Sequence, residues 1–416
     1  MKKIISLAMA LVMLFGAFTA LTSCSSKDPE LEAFTGELYA EVLPIKDGAK
    51  SIITIIHDDG DVSTVNYMKT QFSSLGLTAS VAIVASKVVD ANGKETAAAK
   101  QWKELIKETG FDIVCHTQNH DFYGMTDAAH SGRYLHRDSN GKWTEYNFPA
   151  GNVTNMTAGA AERLREVFKD SNQKVCTYAI PGIAVLQVEV NGQEVSFQGG
   201  RNDEIKQILA DNFVACRLSG GSATYNVNGE TVTIKNLNNL SNLNWQQLNS
   251  YSTETTGTSE AWMQYVDDAV TYGGWGIFLM HQIVNEETDY QYNVSKKKAV
   301  ELFRHIGKKV KAGDVWCANF TEASLYLQEV ETAWAYVEVL ATGIEVSVYD
   351  DLDDNALYDQ PLTVKVQVMD SWSGNAVVKY NGEKFQVPVN TDADGSKYVL
   401  VDVAPDKGVA VINKGK

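Results

Sequence analysis

The sequence has few basic side chains for its length. Its 416 residues include 36 lysines and arginines against 52 aspartates and glutamates, and the formal net charge is −16 at pH 7. Proteins that bind nucleic acid present a clustered Lys/Arg surface to the phosphates, so we expect no nucleic-acid partner. A neutral glycan or a small polar molecule fits this charge better as a substrate.

Cysteines are also few. Beyond Cys24 the chain has Cys115, Cys176, Cys216 and Cys317, each inside or at the end of an apolar strand-like run, and it has no Cys-x-x-Cys motif. The spacings show no disulfide framework. We therefore interpret these four residues as buried thiols, which pack as small hydrophobes, and keep a disulfide bridge as the alternative.

Long apolar runs are missing except near the start of the chain. Residues 4–20 form one, after Lys2 and Lys3, but it is too short and wrongly flanked for a membrane span. The segment 21–24 resembles a bacterial lipobox, which implies a signal peptide over residues 1–23 and a lipid anchor on Cys24. An ordinary secretory signal is the alternative. We expect an exported protein, anchored by lipid alone in the bacterial cell envelope.

Residues 24–49 are predicted to form a tether and an N-terminal extension. The acidic residues of the tether resemble the surface-export signals of Bacteroides-type lipoproteins. This resemblance implies the outer membrane as the location, with exposure on the cell surface.

Strand and helix patterns alternate between residues 50 and 332. The predicted strands are 51–56, 78–84, 111–115, 174–180, 213–218, 276–280 and 314–318, and the predicted helices are 64–74, 97–108, 158–168, 202–211, 259–272, 295–311 and 321–332. Such alternation indicates an α/β fold with a parallel sheet, either a barrel or an open doubly wound sheet. In both, the functional site lies at the carboxyl ends of the strands.

Two hairpins are predicted within this region, around Asn191-Gly192 and Asn228-Gly229, because Asn-Gly suits a type I′ turn. Residues 333–416 show a different pattern, with short alternating strands and turn-rich breaks but no helices. That pattern predicts a small C-terminal β-sandwich. It is either a structural module or a glycan-binding one, with Trp372 as a candidate sugar-stacking residue.

Polar clusters follow the predicted strands. They are Asp58-Asp59-Gly60, His116 with His120, Pro181-Gly182 and His281. One carboxylate and two imidazoles form a ligand set for a divalent metal that leaves a position open for water, and the second aspartate is free to move a proton. By itself, Asp-Asp-Gly is typical of a turn and His-x-x-x-His is often incidental. Their joint placement at strand ends favours a metal site.

In this order the motifs resemble the NodB-homology polysaccharide deacetylases, carbohydrate esterase family four, over residues 50–330. The resemblance implies a distorted (β/α) barrel and metal-dependent removal of acetyl groups from amino sugars or acetylated glycans. It also implies roles for individual residues: Asp58 as catalytic base, Asp59, His116 and His120 as metal ligands, Pro181 and Gly182 as the acetyl pocket with an oxyanion donor, and His281 as general acid. The expected metal is zinc, with cobalt, nickel or manganese as alternatives.

The chain departs from the family pattern in four places, one of which is Gln282 after His281, where some members have Asp. The Arg that precedes the Pro turn and orients the base is absent, and Tyr178-Ala179-Ile180 stands there. Ile56-His57 replaces the usual Thr-Phe, and 242–245 only echoes the Asp-x-x-Asp-Trp segment, so His57 and Trp245 are candidate supporting residues. Two interpretations stay open. One is a deacetylase acting on N-acetyl or O-acetyl groups, and the other is a catalytically silent glycan-binding lipoprotein that retains its metal.

Overall fold

The structure is a computed structural model that describes residues 38–120, 133–137, 143–147, 150–181, 186–190, 192–197, 203–254, 257–287, 292–340 and 343–415. The predicted signal peptide, Cys24 and Gly182 lie outside these residues. No helix in the described ranges is both long and apolar enough to cross a bilayer.

The strands up to residue 317 include every core strand that the sequence predicts. In chain order they are β1 (Ala40–Val42), β2 (Ser51–His57), β3 (Ser80–Ile83), β4 (Asp112–Cys115), β5 (Arg133–Arg137), β6 (Trp143–Asn147), β7 (Thr177–Ala179), β8 (Leu186–Val190), β9 (Gln193–Phe197), β10 (Ala215–Arg217), β11 (Ser222–Val227), β12 (Glu230–Lys235), β13 (Asn238–Asn239), β14 (Tyr251–Ser252), β15 (Gly274–Met280), β16 (Gln282–Val284), β17 (Asn293–Ser295) and β18 (Val315–Cys317). The pairs β8–β9 and β11–β12 are the two predicted hairpins.

The helices follow the predicted order as well. They are α1 (Val62–Phe72), α2 (Ala99–Thr109), α3 (Ala150–Met156), α4 (Ala158–Val167), α5 (Asp203–Asn212), α6 (Ser259–Tyr272), α7 (Lys296–Lys311) and α8 (Phe320–Thr332). Seven of them lie within about two residues of a prediction, because an apolar stripe at helical spacing marks each one. The short helix α3 was not predicted.

The central sheet is parallel and curls into a barrel. Its strands lie in the order β10, β7, β4, β3, β2 and β15, and β18 pairs with the first half of β2. The segment 245–252 joins the two edges, since Leu248 exchanges backbone hydrogen bonds with Cys216 and Leu218 of the β10 edge, and β14 then pairs with β15. The predicted distorted (β/α) barrel is confirmed.

Both faces of the barrel strands are buried, as expected for a parallel sheet covered by helices. Outward residues such as Ile53 and Ile55 pack against the surrounding helices, while inward residues such as Ile52 and Ile56 pack with residues of α8. Helix α8 begins at the amino ends of β3 and β4, where the N–H of Phe320 donates to the Ser80 hydroxyl. The carboxyl ends of the strands are therefore left for the site.

The C-terminal strands form two antiparallel sheets. The strands are β19 (Trp334–Leu340), β20 (Gly343–Tyr349), β21 (Leu362–Val368), β22 (Asn375–Tyr380), β23 (Glu383–Pro388), β24 (Asn390–Thr391), β25 (Lys397–Val403) and β26 (Ala410–Lys414). One sheet has the order β1-β21-β25-β24 and the other β19-β20-β26-β22-β23. Alternate residues of β20 and β21 are buried, which is the pattern of a sandwich.

Two features of this region differ from the expectation. Strand β1, which lies in the predicted N-terminal extension, pairs with β21 and so belongs to the C-terminal sheets. Trp372 is only 2% exposed, because it packs inside these sheets, and it therefore cannot serve as a stacking surface for sugar.

Candidate metal centre and active site

The candidate site lies at the carboxyl ends of β2, β4, β7, β10 and β15. Strands β2 and β15 pair up to His57 and Met280, and the N–H of Asp58 donates to the carbonyl of Met280 at 2.8 Å. This pairing places His281, the next residue of β15's chain, beside the Asp58–Asp59 turn. Residues separated by more than 200 positions therefore meet at one rim.

The turn after β2 explains how two adjacent aspartates serve one site. In a strand they would point to opposite faces. Asp59 and Gly60 both have φ of +68°, so the chain turns sharply at the strand end. Asp61 then caps α1 by accepting the N–H of Thr64 at 2.7 Å.

His57 supports this turn through a hydrogen bond. It is fully buried, and its Nε2 accepts the N–H of Asp61 at 2.7 Å, so Nδ1 carries the proton and faces the carbonyl of Met280 at 3.3 Å. Burial lowers the pKa of His57, which keeps the ring neutral and suits this pair of hydrogen bonds. His57 thus supports the turn and lies on the outer face of the strand.

Asp59, His116 and His120 come together as the expected ligand group. Oδ1 of Asp59 lies 3.4 Å from Nε2 of His116 and 3.1 Å from Nε2 of His120, and the three ligand atoms lie within 4.8 Å of one another. Two ligand atoms of a tetrahedral ion are roughly 3.3 Å apart when each bond is about 2.0–2.1 Å. Oδ1 is also buried without accepting a hydrogen bond in the described residues. The donor set and its spacing fit a divalent metal.

A backbone carbonyl orients the first imidazole. Nδ1 of His116 lies 2.8 Å from the carbonyl of Ala179 at the end of β7, so it donates there and Nε2 faces Asp59 with its lone pair. His116 is buried, whereas Asp59 and His120 are half-buried. The triad is therefore open on one side, where water or a substrate can reach it.

The loop that carries the second imidazole is strained. Thr117 and His120 have φ of +64° and +60°, in the left-handed region that disfavours residues with a Cβ, and a β-branched Thr most of all. Backbone hydrogen bonds from Ala85 and Ser86 to the carbonyls of Thr117 and Gln118 hold this conformation at 2.9 and 2.8 Å. His120 therefore reaches Asp59 from a turn, since residues 117–120 form no helix.

Charge stabilises the ionised form of Asp59. Burial by itself raises the pKa of this carboxyl, but hydrogen bonds and charge attraction from His116 and His120, in the state in which their Nε2 atoms carry protons instead of facing a cation, outweigh it and hold the pKa well below its usual range. A carboxylate that stays ionised is the form that binds a cation.

Arg217 is the residue that the sequence reasoning missed. Its guanidinium is fully buried, and Nη2 donates to both carboxylate oxygens of Asp58 at 2.5 and 2.6 Å. Arg217 lies on β10 and pairs with Ala179 of the neighbouring strand β7. Ala179 belongs to the stretch Tyr178–Ile180, where the family has its Arg. The neighbouring strand therefore supplies the cation that was thought to be missing. The signal was a lone arginine in an apolar strand, because a buried charge requires a partner.

The Asp58 carboxyl is ionised as a result. Burial raises its pKa, yet the Arg217 guanidinium more than compensates and keeps the pKa below the usual value. The carboxylate is only 4% exposed, so its direction is fixed by this ion pair.

His281 lies at the same rim, directly after β15. Its Nδ1 is buried and has no hydrogen-bond partner among the described residues, and its ring lies 4.9 Å from the ring of Tyr292. Burial lowers the pKa of His281.

The remaining predicted residues are placed differently. Pro181 is buried just after β7, at the expected turn, whereas Gly182 lies outside the described residues. The ring of Trp245 lies 6.5 Å from that of Trp275, which pairs with Ile52 at the start of β2. Trp245 therefore packs toward the amino end of the barrel, away from the rim, and its described contacts do not include the site.

Comparison with known proteins places this geometry in context. No family model matches the chain. A gellan lyase from a Bacillus species is 31% identical over 140 residues, which cover 33% of this chain and 6% of that enzyme. The chain thus spans only a small part of the curated relative that it matches.

Solved structures give a broader but looser similarity. A polysaccharide deacetylase from Mycobacterium smegmatis, described as putative, is 12% identical, with a TM-score of 0.40 over 70% of this chain and 95% of that one. A family 4 acetyl xylan esterase from Clostridium thermocellum in complex with a cobalt ion is 11% identical, with a TM-score of 0.34 over 65% and 89%. A family 4 pseudoenzyme from Bacillus anthracis is 12% identical, with a TM-score of 0.34 over 66% and 65%.

At these TM-scores the likenesses assign no role to any residue, and the roles proposed below come from the side chains of this chain. By their descriptions, the three solved structures are carbohydrate esterases of family four or polysaccharide deacetylases.

Proposed function

We propose that this protein is a metal-dependent hydrolase that removes acetyl groups from an acetylated glycan. The observation that carries the proposal is the pairing at one rim of two carboxylates with different partners. Asp59 faces two imidazole nitrogens, and Asp58 is bound by a buried guanidinium. One carboxylate is thus available for a cation and the other for a proton.

Asp59, His116 and His120 would hold the metal, and this oxygen and nitrogen donor set fits zinc, with cobalt, nickel or manganese as alternatives. When bound, a divalent ion polarises the acetyl carbonyl and makes a bound water easier to deprotonate. The half-buried side of the triad leaves room for that water and for the acetyl group.

Asp58 is the proposed general base. It accepts a proton from the attacking water while the oxygen of that water forms a bond to the acetyl carbon. Arg217 keeps the carboxylate ionised and aims it, since both of its oxygens contact the same guanidinium nitrogen. The low pKa weakens Asp58 as a base, so we attribute its effect mainly to fixed position.

His281 is the proposed general acid. As the carbon–nitrogen or carbon–oxygen bond to the acetyl group breaks, the imidazole donates a proton to the departing sugar nitrogen or oxygen. An amine leaves poorly without that proton, whereas an alkoxide needs less help. The products are acetate and the deacetylated sugar.

The test is acetate release measured alongside metal content. Purified protein supplemented with zinc should release acetate from a soluble acetylated oligosaccharide. Asp58→Asn should reduce the rate by at least about 100-fold while the bound metal, measured by elemental analysis, stays unchanged. Asp59→Ala should lose both the metal and the activity.

Asp90→Asn provides a matched control, because Asp90 is a half-buried turn carboxylate that is neither a proposed ligand nor the proposed base, and it should change neither quantity. Metal retention without acetate from a panel of N-acetylated and O-acetylated glycans would favour the silent glycan-binding interpretation. Unchanged metal content in Asp59→Ala would show that the proposed ligand assignment is wrong.

We also propose that the protein works as a lipid-anchored component of the cell envelope. The support is the lipobox-like segment before Cys24. Cys24→Ser should move the protein from the membrane fraction to the soluble fraction on cell fractionation, and an unchanged membrane fraction would contradict the anchor.

A further inference from the structure

A second surface with exposed aromatic rings lies on the C-terminal sheets. Trp334, Tyr336 and Tyr349 are 48%, 56% and 39% exposed. All three belong to the hairpin of β19 and β20, at one edge of the five-stranded sheet. Large aromatic side chains that stay exposed together mark a binding surface more often than chance.

The three rings share one face of this hairpin. Trp334 pairs directly with Tyr349, and Tyr336 pairs with Ser347, so all of these side chains point the same way. The rings of Trp334 and Tyr349 stack at 5.8 Å with an angle of 29°. The opposite face of β20 carries buried residues such as Val346. The aromatic face is therefore a rigid platform that points away from the core.

Carboxylates lie on the same face of the hairpin. Glu338 pairs directly with Glu345 on the same face, and like charges placed opposite each other destabilise a sheet. Residues 334–354 contain six acidic side chains and no lysine or arginine. Beside this stretch, Nζ of Lys407 donates to the carbonyl of Asn355. A cationic partner would relieve the repulsion that the hairpin carries.

The platform suits a sugar with a free amino group. The apolar face of a sugar ring stacks on an aromatic ring, and an ammonium group is attracted both to the faces of Trp and Tyr and to carboxylates. A neutral N-acetylated sugar would stack on the rings but would not reduce the repulsion between the two glutamates. An anionic glycan would be repelled.

We propose that this face, formed by Trp334, Tyr336 and Tyr349 with Glu338 and Glu345, binds a glycan of amino sugars that carry free amino groups. The site goes beyond the proposed reaction, because binding requires neither the metal nor Asp58. One link rests on the proposed function: if the barrel removes N-acetyl groups, its product is the ligand of this face, which then holds the protein on glycan that it has already modified.

The test is calorimetric titration with glucosamine hexamer and with N-acetylglucosamine hexamer, using the full chain with Asp58→Asn so that neither ligand changes during the measurement. We expect the free-amine hexamer to bind at least 10-fold more tightly than the acetylated one, and the affinity to fall as salt is raised. Trp334→Ala should weaken binding at least 10-fold. Glu338→Gln, which keeps the shape of the side chain, should remove most of the preference for the amine.

Phe385→Ala is the matched control. Phe385 is also exposed, at 38%, but lies on β23 at the other edge of the same sheet, so its removal should leave the affinity unchanged. Thermal unfolding of each variant shows whether the fold is retained. Equal affinity for the two hexamers, or no effect of Trp334→Ala in a folded protein, would overturn the proposal. So would a dimer in sedimentation velocity that Trp334→Ala dissociates, because the partner would then be a second copy.

Failure here is distinguishable from failure of the proposed reaction. Acetate release from a small soluble substrate depends on the barrel and should be the same in Trp334→Ala as in the unaltered protein. If wild type releases no acetate while the glucosamine hexamer binds through Trp334, the reaction is wrong and this site stands. Acetate release without any hexamer binding would mean that the proposed reaction stands and that the proposed binding site is wrong.

Discussion

The rim of the barrel and the aromatic face of the β19–β20 hairpin are built in opposite ways. At the rim, ionisable side chains are buried or half-buried, each carboxylate has its own cationic or imidazole partner, and Asp59, Thr117 and His120 adopt left-handed backbone conformations. On the hairpin, the polar and aromatic side chains are mostly exposed and come from regular antiparallel strands.

This difference fits the two functions that we propose for these surfaces. Bond cleavage requires groups that are held in one geometry with shifted pKa values, which the fold achieves through burial and local strain. Binding an extended glycan requires a flat surface that solvent and ligand can reach, which two strands provide without strain. Substitutions should show how far the molecule depends on buried ion pairs, on the imidazole at the rim and on buried carboxylates, in decreasing order of expected effect.

Removal of Arg217 should have the largest effect. Arg217→Ala leaves Asp58 as a buried carboxylate without its cation, which costs about 3–5 kcal/mol of stability for a buried pair. Because the Asp58 carboxylate would no longer be held in one orientation, kcat should also fall by roughly 100-fold or more. Denaturant unfolding and acetate release measure the two effects separately.

A relocated arginine provides the control for this prediction. Because Ala179 lies beside Arg217 on the neighbouring strand and both face the barrel interior, Arg217→Ala combined with Ala179→Arg should recover part of both the stability and the activity. Recovery of stability without activity would mean that Arg217 acts only as a structural partner of Asp58.

Removal of the His281 imidazole should have a smaller and substrate-dependent effect. His281→Gln should lower kcat by about 100-fold on an N-acetylated sugar and by clearly less on an O-acetylated one, because an alkoxide leaves with less protonation than an amine. Rates on the two substrates, measured side by side, check this. An equal loss on both would contradict the role of His281 as general acid.

The smallest effect concerns a contact between the barrel helix α8 and the C-terminal sheets. Glu329 of α8 is buried, and its carboxylate accepts the N–H of Gln360, which precedes β21, on both oxygens at 3.0 and 3.1 Å. Burial raises the pKa of Glu329 to about 8. In the unfolded chain a glutamate titrates near 4.3, so the folded state holds an extra proton between these values, and its stability falls as pH rises through them.

Glu329→Gln should therefore raise the Tm at pH 8 by roughly 2 °C or more and change it little at pH 5. Thermal unfolding at the two pH values is sufficient to test this. Parallel shifts at both would show that the charge of Glu329 does not contribute to the pH dependence.

The sequence predicted the barrel well because its signals are local. Each core strand is a short apolar run between turn residues, and the main helices have an apolar stripe at helical spacing, so periodicity alone identifies them. The strand β19 was missed, since it begins two residues after α8 ends and its exposed face carries Trp334 and Tyr336, so apolar and polar residues do not alternate along it.

The candidate ligands were found from residue type and order, whereas their supports were not. Asp59, His116 and His120 carry chemistry that is visible in the sequence. By contrast, the carbonyl of Ala179 that orients His116, and the hydrogen bonds that hold Thr117, are backbone groups without any signature in the side chains. Their contribution depends on how neighbouring strands are arranged.

The sequence by itself determined that apolar runs would form a parallel sheet and that carboxylates and imidazoles would follow its strands, because periodicity and residue chemistry are properties of short segments. Only the tertiary structure decided that Arg217 would neutralise Asp58 from another strand and that Trp334 and Tyr349 would stack on an exposed face. A buried charge and a paired ring each depend on a partner that lies far along the chain or across a sheet, and that partner is chosen by strand register.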